Sequence, residues 1–188
     1  MHELEPFYHW RELYKAEEDE RSPFFEREYS EVYFTNTIYN YVIHPQWDEF
    51  GSSTLYIKIL FADYNKGFAI IEMIGEWNDC INNDVMFLKR EIADILIEEG
   101  INKFVLVGEN LLQFHGESED YYEEWYDDVE EGWIVALNFR PHIHEQLAAY
   151  RIDYYINYGG ELDGLNWRAL NPFQLFAKVE HIISHRLT

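Results

Sequence analysis

Apolar positions follow two periods along this chain, and the changes between them mark out its elements. Leu55 to Ala62 and Phe68 to Ile74 are β-branched and aromatic runs that predict two strands, joined by Asp63-Tyr64-Asn65-Lys66-Gly67. A turn of that composition permits positive φ at its end, so the pair reads as a hairpin. After Glu76-Trp77 the period lengthens: Val85, Leu88, Ile92, Ile95 and Leu96 recur at three and four residues and predict a helix over 85–99. Asn82, Asn83 or Asp84 is placed to cap it and Gly100 to end it. Lys103 to Val107 then reads as a strand covered on both faces, which makes the preceding helix a crossover between parallel strands.

A second unit follows, with an acidic helix near 118–131, a strand over Trp133 to Leu137 and a helix from about His142 to Tyr150. A third comprises a strand over Asp153 to Tyr158, a break at Gly159-Gly160, and a helix introduced by Pro172 that turns Phe173, Phe176, Val179, Ile182 and Ile183 to one side. Upstream, Phe7, Trp10 and Tyr14 suggest a short helix over 5–18, and the β-branched and aromatic residues from Glu31, running through Val32 to Tyr39, suggest a strand that His44-Pro45 stops. The expected fold class is therefore α/β: a mixed sheet with an N-terminal antiparallel hairpin, strand-helix units after it, and helices packed on the sheet. Residues 1–30 form an N-terminal helical, aromatic extension in this reading, and 31–188 a single α/β domain.

Composition sharpens the picture. Among 188 residues, 36 Asp and Glu against 14 Lys and Arg give a formal charge of −22, while 34 aromatics supply ample core. Without a Lys or Arg run the chain has no patch for displacing counterions from nucleic acid or for meeting anionic lipid, so neither DNA, RNA nor membrane is an expected partner. A basic protein surface is. One cysteine, Cys80, excludes an intramolecular disulfide and suits a reducing compartment. Met1-His2-Glu3-Leu4-Glu5 lacks the basic and apolar regions of an export signal, so the expected location is the cytoplasm.

The segment Lys103-Phe104-Val105-Leu106-Val107-Gly108-Glu109-Asn110-Leu111-Leu112-Gln113-Phe114-His115-Gly116-Glu117, with the hairpin-then-units order before it, resembles the STAS or SpoIIAA-like family of anti-sigma-factor antagonists. In that family an apolar strand and a short loop lead to Asp-Ser-Ser-Gly opening a helix. The likeness places His115 at the Asp, Gly116 at the first Ser, Glu117 at the Ser that is phosphorylated, and Ser118 at the Gly. It implies a regulatory module that binds a protein, with Glu117 in a first helical turn where no phosphate can be added.

Chemistry-bearing residues are sparse. His142 and His144 flank Ile143 after Pro141; on extended backbone they would point the same way and, with His115, could hold a metal for a hydrolase. On a helix their directions would diverge by roughly 200°. His181 and His185 have helical i, i+4 spacing but lack the glutamate of a metalloprotease helix. Between Glu117 and Glu131 lie nine acids and no base, with Tyr121, Tyr122, Trp125 and Val129 forming one stripe. Calcium-loop spacing is absent there. Glu123, Glu124, Asp127 and Asp128, with His115, Glu117 and Ser118, are the expected contacts for a partner with a basic surface. Trp47, Trp77 and Trp167 could line a pocket. Neither a nucleophile elbow nor a phosphate loop occurs, and no cofactor is expected. The function expected is a non-enzymatic regulatory or protein-binding module, with a His-cluster metal hydrolase and an acidic nucleic-acid mimic as alternatives, and the N-terminal aromatics are expected either to pack on the sheet or to form a homodimer contact.

Overall fold

The computed structural model describes residues 4–30 and 32–186; the expected strand start at Glu31 and the reading of residues 1–3 lie outside them. A two-stranded ribbon, β1 (Thr37–Ile38) and β2 (Tyr41–Val42), precedes a four-stranded sheet of β3 (Leu55–Asp63), β4 (Phe68–Asn78), β5 (Lys103–His115) and β6 (Trp133–Leu137). The sheet order is β3-β4-β5-β6, with β3 and β4 antiparallel and β4, β5 and β6 parallel. Each parallel pair needs a crossover. The first comprises α1 (Asp79–Asn82), α2 (Asp84–Phe87), a π turn over Leu88–Ala93 and α3 (Asp94–Glu98). The second is α4 (Asp120–Asp128), while α5 (Pro141–Ala149) follows β6 and α6 (Pro172–Arg186) closes the described chain.

The sheet buries both faces, which explains why its strands read as near-continuous apolar runs. Ile57, Ile71, Phe104, Leu106 and Ile134 pack with Leu88, Ile92, Trp125 and Ile143 on one side. On the other, Ile70, Val105 and Val135 meet Leu175, Val179 and Ile182 of α6, together with Trp10 and Trp167. Phe68 stacks on Phe176 at 4.1 Å between ring centres. Each fully buried side chain of this size contributes roughly 1.5–3 kcal/mol to folding, so the α/β/α layering is held chiefly by these two cores.

Several expected elements take other forms. Residues 5–18 contain only a 3-10 turn, Ala16–Glu18, because the aromatics there serve the sheet's second face: Phe7 and Trp10 meet Trp167 edge-on at 4.8 and 5.6 Å. Trp10 Nε1 also donates to Leu170 O at 3.1 Å. The strand expected over 32–39 is confined to Thr37–Ile38, since Tyr39 and Asn40 take positive φ and reverse the chain. Asp153 to Tyr158 contributes a 3-10 turn, Ile152–Tyr154, and one parallel bridge, Val135 to Asn157, in place of a strand. β5 runs eight residues past the expected stop at Val107, because the polar Glu109 and Asn110 find buried partners.

Candidate functional site

β4 and β5 end together, with Asn78 opposite His115, and the chain turns there because Asn78 Oδ1 accepts the Ile81 N–H at 3.0 Å and caps α1. Asn83, at φ 53°, then redirects it into α2. Beneath this turn Asp79 is buried, its Oδ1 accepting from Trp77 Nε1 and the Val85 N–H, each at 2.9 Å, and its Oδ2 from Tyr122 OH at 2.5 Å. Burial outweighs the three donors and pushes its pKa up to about 6. Asp84 Oδ2 accepts the Asn78 N–H at 2.7 Å, so two acids bind strand end to helix start.

Outward from that hub, one surface is stitched by hydrogen bonds. Glu76 Oε1 accepts from Asn78 Nδ2 at 3.1 Å and lies 3.3 Å from His115 Nε2, while Glu76 Oε2 accepts from Tyr39 OH. Cys80 Sγ donates to Gly116 O at 2.9 Å, tying α1 to the chain leaving β5. Within this polar frame Ile81 is 81% exposed and Tyr39 61%, with Tyr41 exposed on the adjoining ribbon. Exposed apolar groups framed by polar ones are the anatomy of a contact surface.

The acidic helix divides its charges. Tyr122 and Trp125 face the core. Lys89, wholly buried, places Nζ 2.7 Å from Asp128 and 3.8 Å from Glu124, and also contacts Asp94; Arg90 grips Glu124 with two nitrogens at 2.6 and 2.9 Å. Glu124 and Asp128 are therefore paired with cations of the molecule itself while remaining at its surface. Glu123 and Asp127 are exposed and have no cationic partner among the described residues. Glu117 and Ser118 are exposed in the loop after β5, and Ser118 Oγ accepts the Asp120 N–H at 3.3 Å. Since α4 starts at Asp120, Glu117 lies before the helix and outside the first turn where the family likeness puts it.

The histidines do not converge. α5 starts at Pro141, so His142 and His144 sit on helical backbone and point apart by roughly 200°. His142 Nε2 contacts Leu112 O at 2.9 Å, His144 Nε2 lies 3.6 Å from Asp163, and His115 is engaged with Glu76. Among the described residues no group of three or more His, Cys, Asp or Glu is arranged to hold a metal. His181 and His185 pair ring to ring at 4.0 Å in the last turns of α6. Trp47, Trp77 and Trp167 are all buried.

One cluster has no counterpart in the motif reading. Glu72, buried in β4, accepts from the Phe7 N–H at 2.8 Å, Arg168 Nη2 at 3.1 Å and Asn110 Nδ2 at 3.4 Å. Arg168 also grips Glu109, which accepts from Asn138 Nδ2 at 2.6 Å and Trp167 Nε1 at 2.9 Å. Burial raises Glu72 to about 7, while Glu109 titrates below the usual carboxylate value, its burial overcome by Arg168 and Asn138. The available signal was a lone acid inside the apolar run Phe68 to Ile74.

No family model and no curated protein matches this chain. Among solved structures, the anti-sigma factor antagonist SpoIIAA in its unphosphorylated form is similar, with a TM-score of 0.41 and 10% identity, covering 56% of this chain and 89% of that one. The phosphorylated form of the Bacillus cell fate determinant SpoIIAA gives 0.38 and 10% over 56% and 92%. The likeness is one of topology. No described helix is long and apolar enough to cross a membrane.

Proposed function

We propose that this chain is a non-enzymatic, cytoplasmic protein-binding module that docks a partner with a basic surface on the edge where β4 and β5 end. The observation that carries the reading is the exposure of Ile81 and Tyr39 on a rigid frame, with Glu76 and Asn78 fixed beneath them. Ile81 supplies an apolar anchor. Glu117, Glu123 and Asp127 supply a negative rim that steers a cationic partner and speeds encounter at low salt. Glu124 and Asp128 are already paired with cations of the molecule itself.

The test begins with a photo-crosslinker on Cys80, the chain's one thiol, to identify the partner, followed by calorimetry on the purified pair. Ile81→Asp is expected to weaken binding at least tenfold, the scale of an interface hot spot at about 1.4 kcal/mol or more. Glu123→Lys with Asp127→Lys is expected to slow association and flatten its salt dependence. Wild-type affinity in both variants would end the docking reading.

A further inference from the structure

Lys58 on β3 is an ammonium with unfilled hydrogen-bonding directions. Its side chain is 7% exposed, and Nζ lies 3.3 Å from Asp48 Oδ2 and 3.9 Å from the centre of the Tyr29 ring. The Asp48 contact engages at most one of the ammonium's three N–H directions and the ring contact is electrostatic, so donor capacity is left over. Asp48 is itself shared, accepting from Tyr29 OH at 2.5 Å and lying 3.4 Å from Arg27 Nε. Burial lowers the pKa of Lys58 and raises that of Asp48, so each partner pulls the other only part of the way back.

A second unfilled group faces the same place. The 3-10 turn Ala16–Glu18 brings Glu17 over β3, and Glu17 Oε2 is buried without a hydrogen-bond donor among the described residues. Glu17 and Lys58 both line one cavity of about 10 Å³, together with Arg11 and Lys15 and the apolar walls of Phe7, Ile59 and Leu60. That volume is the minimum that holds one water and nothing larger. The cationic lining disfavours a metal ion, and the volume is too small for an anion larger than water. A donor and an acceptor left unfilled around a water-sized space each carry a desolvation cost that a bridging molecule removes.

We infer that a single structural water occupies this cavity, accepting from Lys58 Nζ and donating to Glu17 Oε2, and that it seats the N-terminal segment on β3. A high-resolution crystal structure of the full chain is expected to show one ordered water within about 2.6–3.2 Å of both atoms. In solution, oxygen-17 relaxation dispersion is expected to lose one long-lived water in Glu17→Leu and to keep it in Glu17→Gln, which retains the acceptor. Glu17→Leu is also expected to lower Tm by several degrees, at about 2–4 °C per kcal/mol for a chain of this size. A direct Glu17–Lys58 contact that closes the cavity would overturn the inference. Equal relaxation profiles in the two variants would do the same. Should Glu17→Leu fail to fold, the wild-type crystal structure decides alone.

Discussion

Asp79 and Glu72 are two buried acids seven positions apart, one just past the end of β4 and one within it, yet they tie together different parts of the molecule. The donors to Asp79 are neutral and lie around one turn: Trp77 at the end of β4, Val85 on α2 and Tyr122 on α4. The donors to Glu72 lie 65, 96 and 38 positions away, in the N-terminal segment, beside Trp167 and on β5, and one is a guanidinium. The first acid shapes a turn; the second fastens both ends of the chain to a central strand. Burial governs both, lifting one to about 6 and the other to about 7. Being satisfied is therefore different from being comfortable when ionised.

Asp79→Ala leaves an indole N–H, a backbone N–H and a phenol buried without an acceptor. At about 1–3 kcal/mol for each unsatisfied group, a loss of roughly 3–5 kcal/mol is expected in urea unfolding. A loss below about 1 kcal/mol would mean that the turn stands without its hub.

Titration supplies the next effect. Both acids bind their proton more tightly in the folded than in the unfolded chain, so the stability they lend is complete below their ordinary values of 3.8 and 4.5 and is lost as pH rises through about 6 for Asp79 and about 7 for Glu72. The change is on the order of 3 kcal/mol for each. Glu72→Gln is expected to flatten the fall in stability between pH 4.5 and 7, as measured by Tm against pH, and to leave the Asp79 portion intact. An unchanged profile would separate Glu72 from the pH response.

The smallest change is Tyr122→Phe, which removes one of three donors from Asp79 and is expected to cost about 1–1.5 kcal/mol. It should also raise the Asp79 pKa further, visible in carboxyl NMR titration, because Tyr122 OH favours the ionised form.

The central sheet was legible wherever period and punctuation agreed: the hairpin about Asp63–Gly67, the helical face from Val85 to Leu96, the run Trp133 to Leu137 and the helix after Pro172 all stand close to where the pattern puts them. Aromatic-rich segments were not. Phe7, Trp10 and Tyr14 have helical spacing, but their burial comes from Trp167 and Phe61 on the same face of the sheet, far away in sequence, and no local pattern encodes that contact. Asp153 to Tyr158 is rich in aromatic residues as a strand is, yet the chain reaches β6 only at Asn157. In α4 the acids looked equivalent. What distinguishes Glu124 and Asp128 is a pair of cations 34 and 39 residues upstream, a distance no spacing rule covers.

The π turn at Leu88–Ala93 lets neighbours in sequence, Leu88 with Lys89 and Ile92 with Ala93, bury side by side, which a regular helix would splay by roughly 100°. In the language of insertions, that segment accommodates one residue more than an unbroken α-helix. Deleting a single residue there would restore ordinary winding and leave one buried position fewer on that turn. The ammonium of Lys89 and the apolar face at Ile92 and Leu96 could then no longer be presented to their partners together. The extra residue thus works as a phase shifter that lets one helix keep two appointments, with the sheet below it and with the acidic helix beside it.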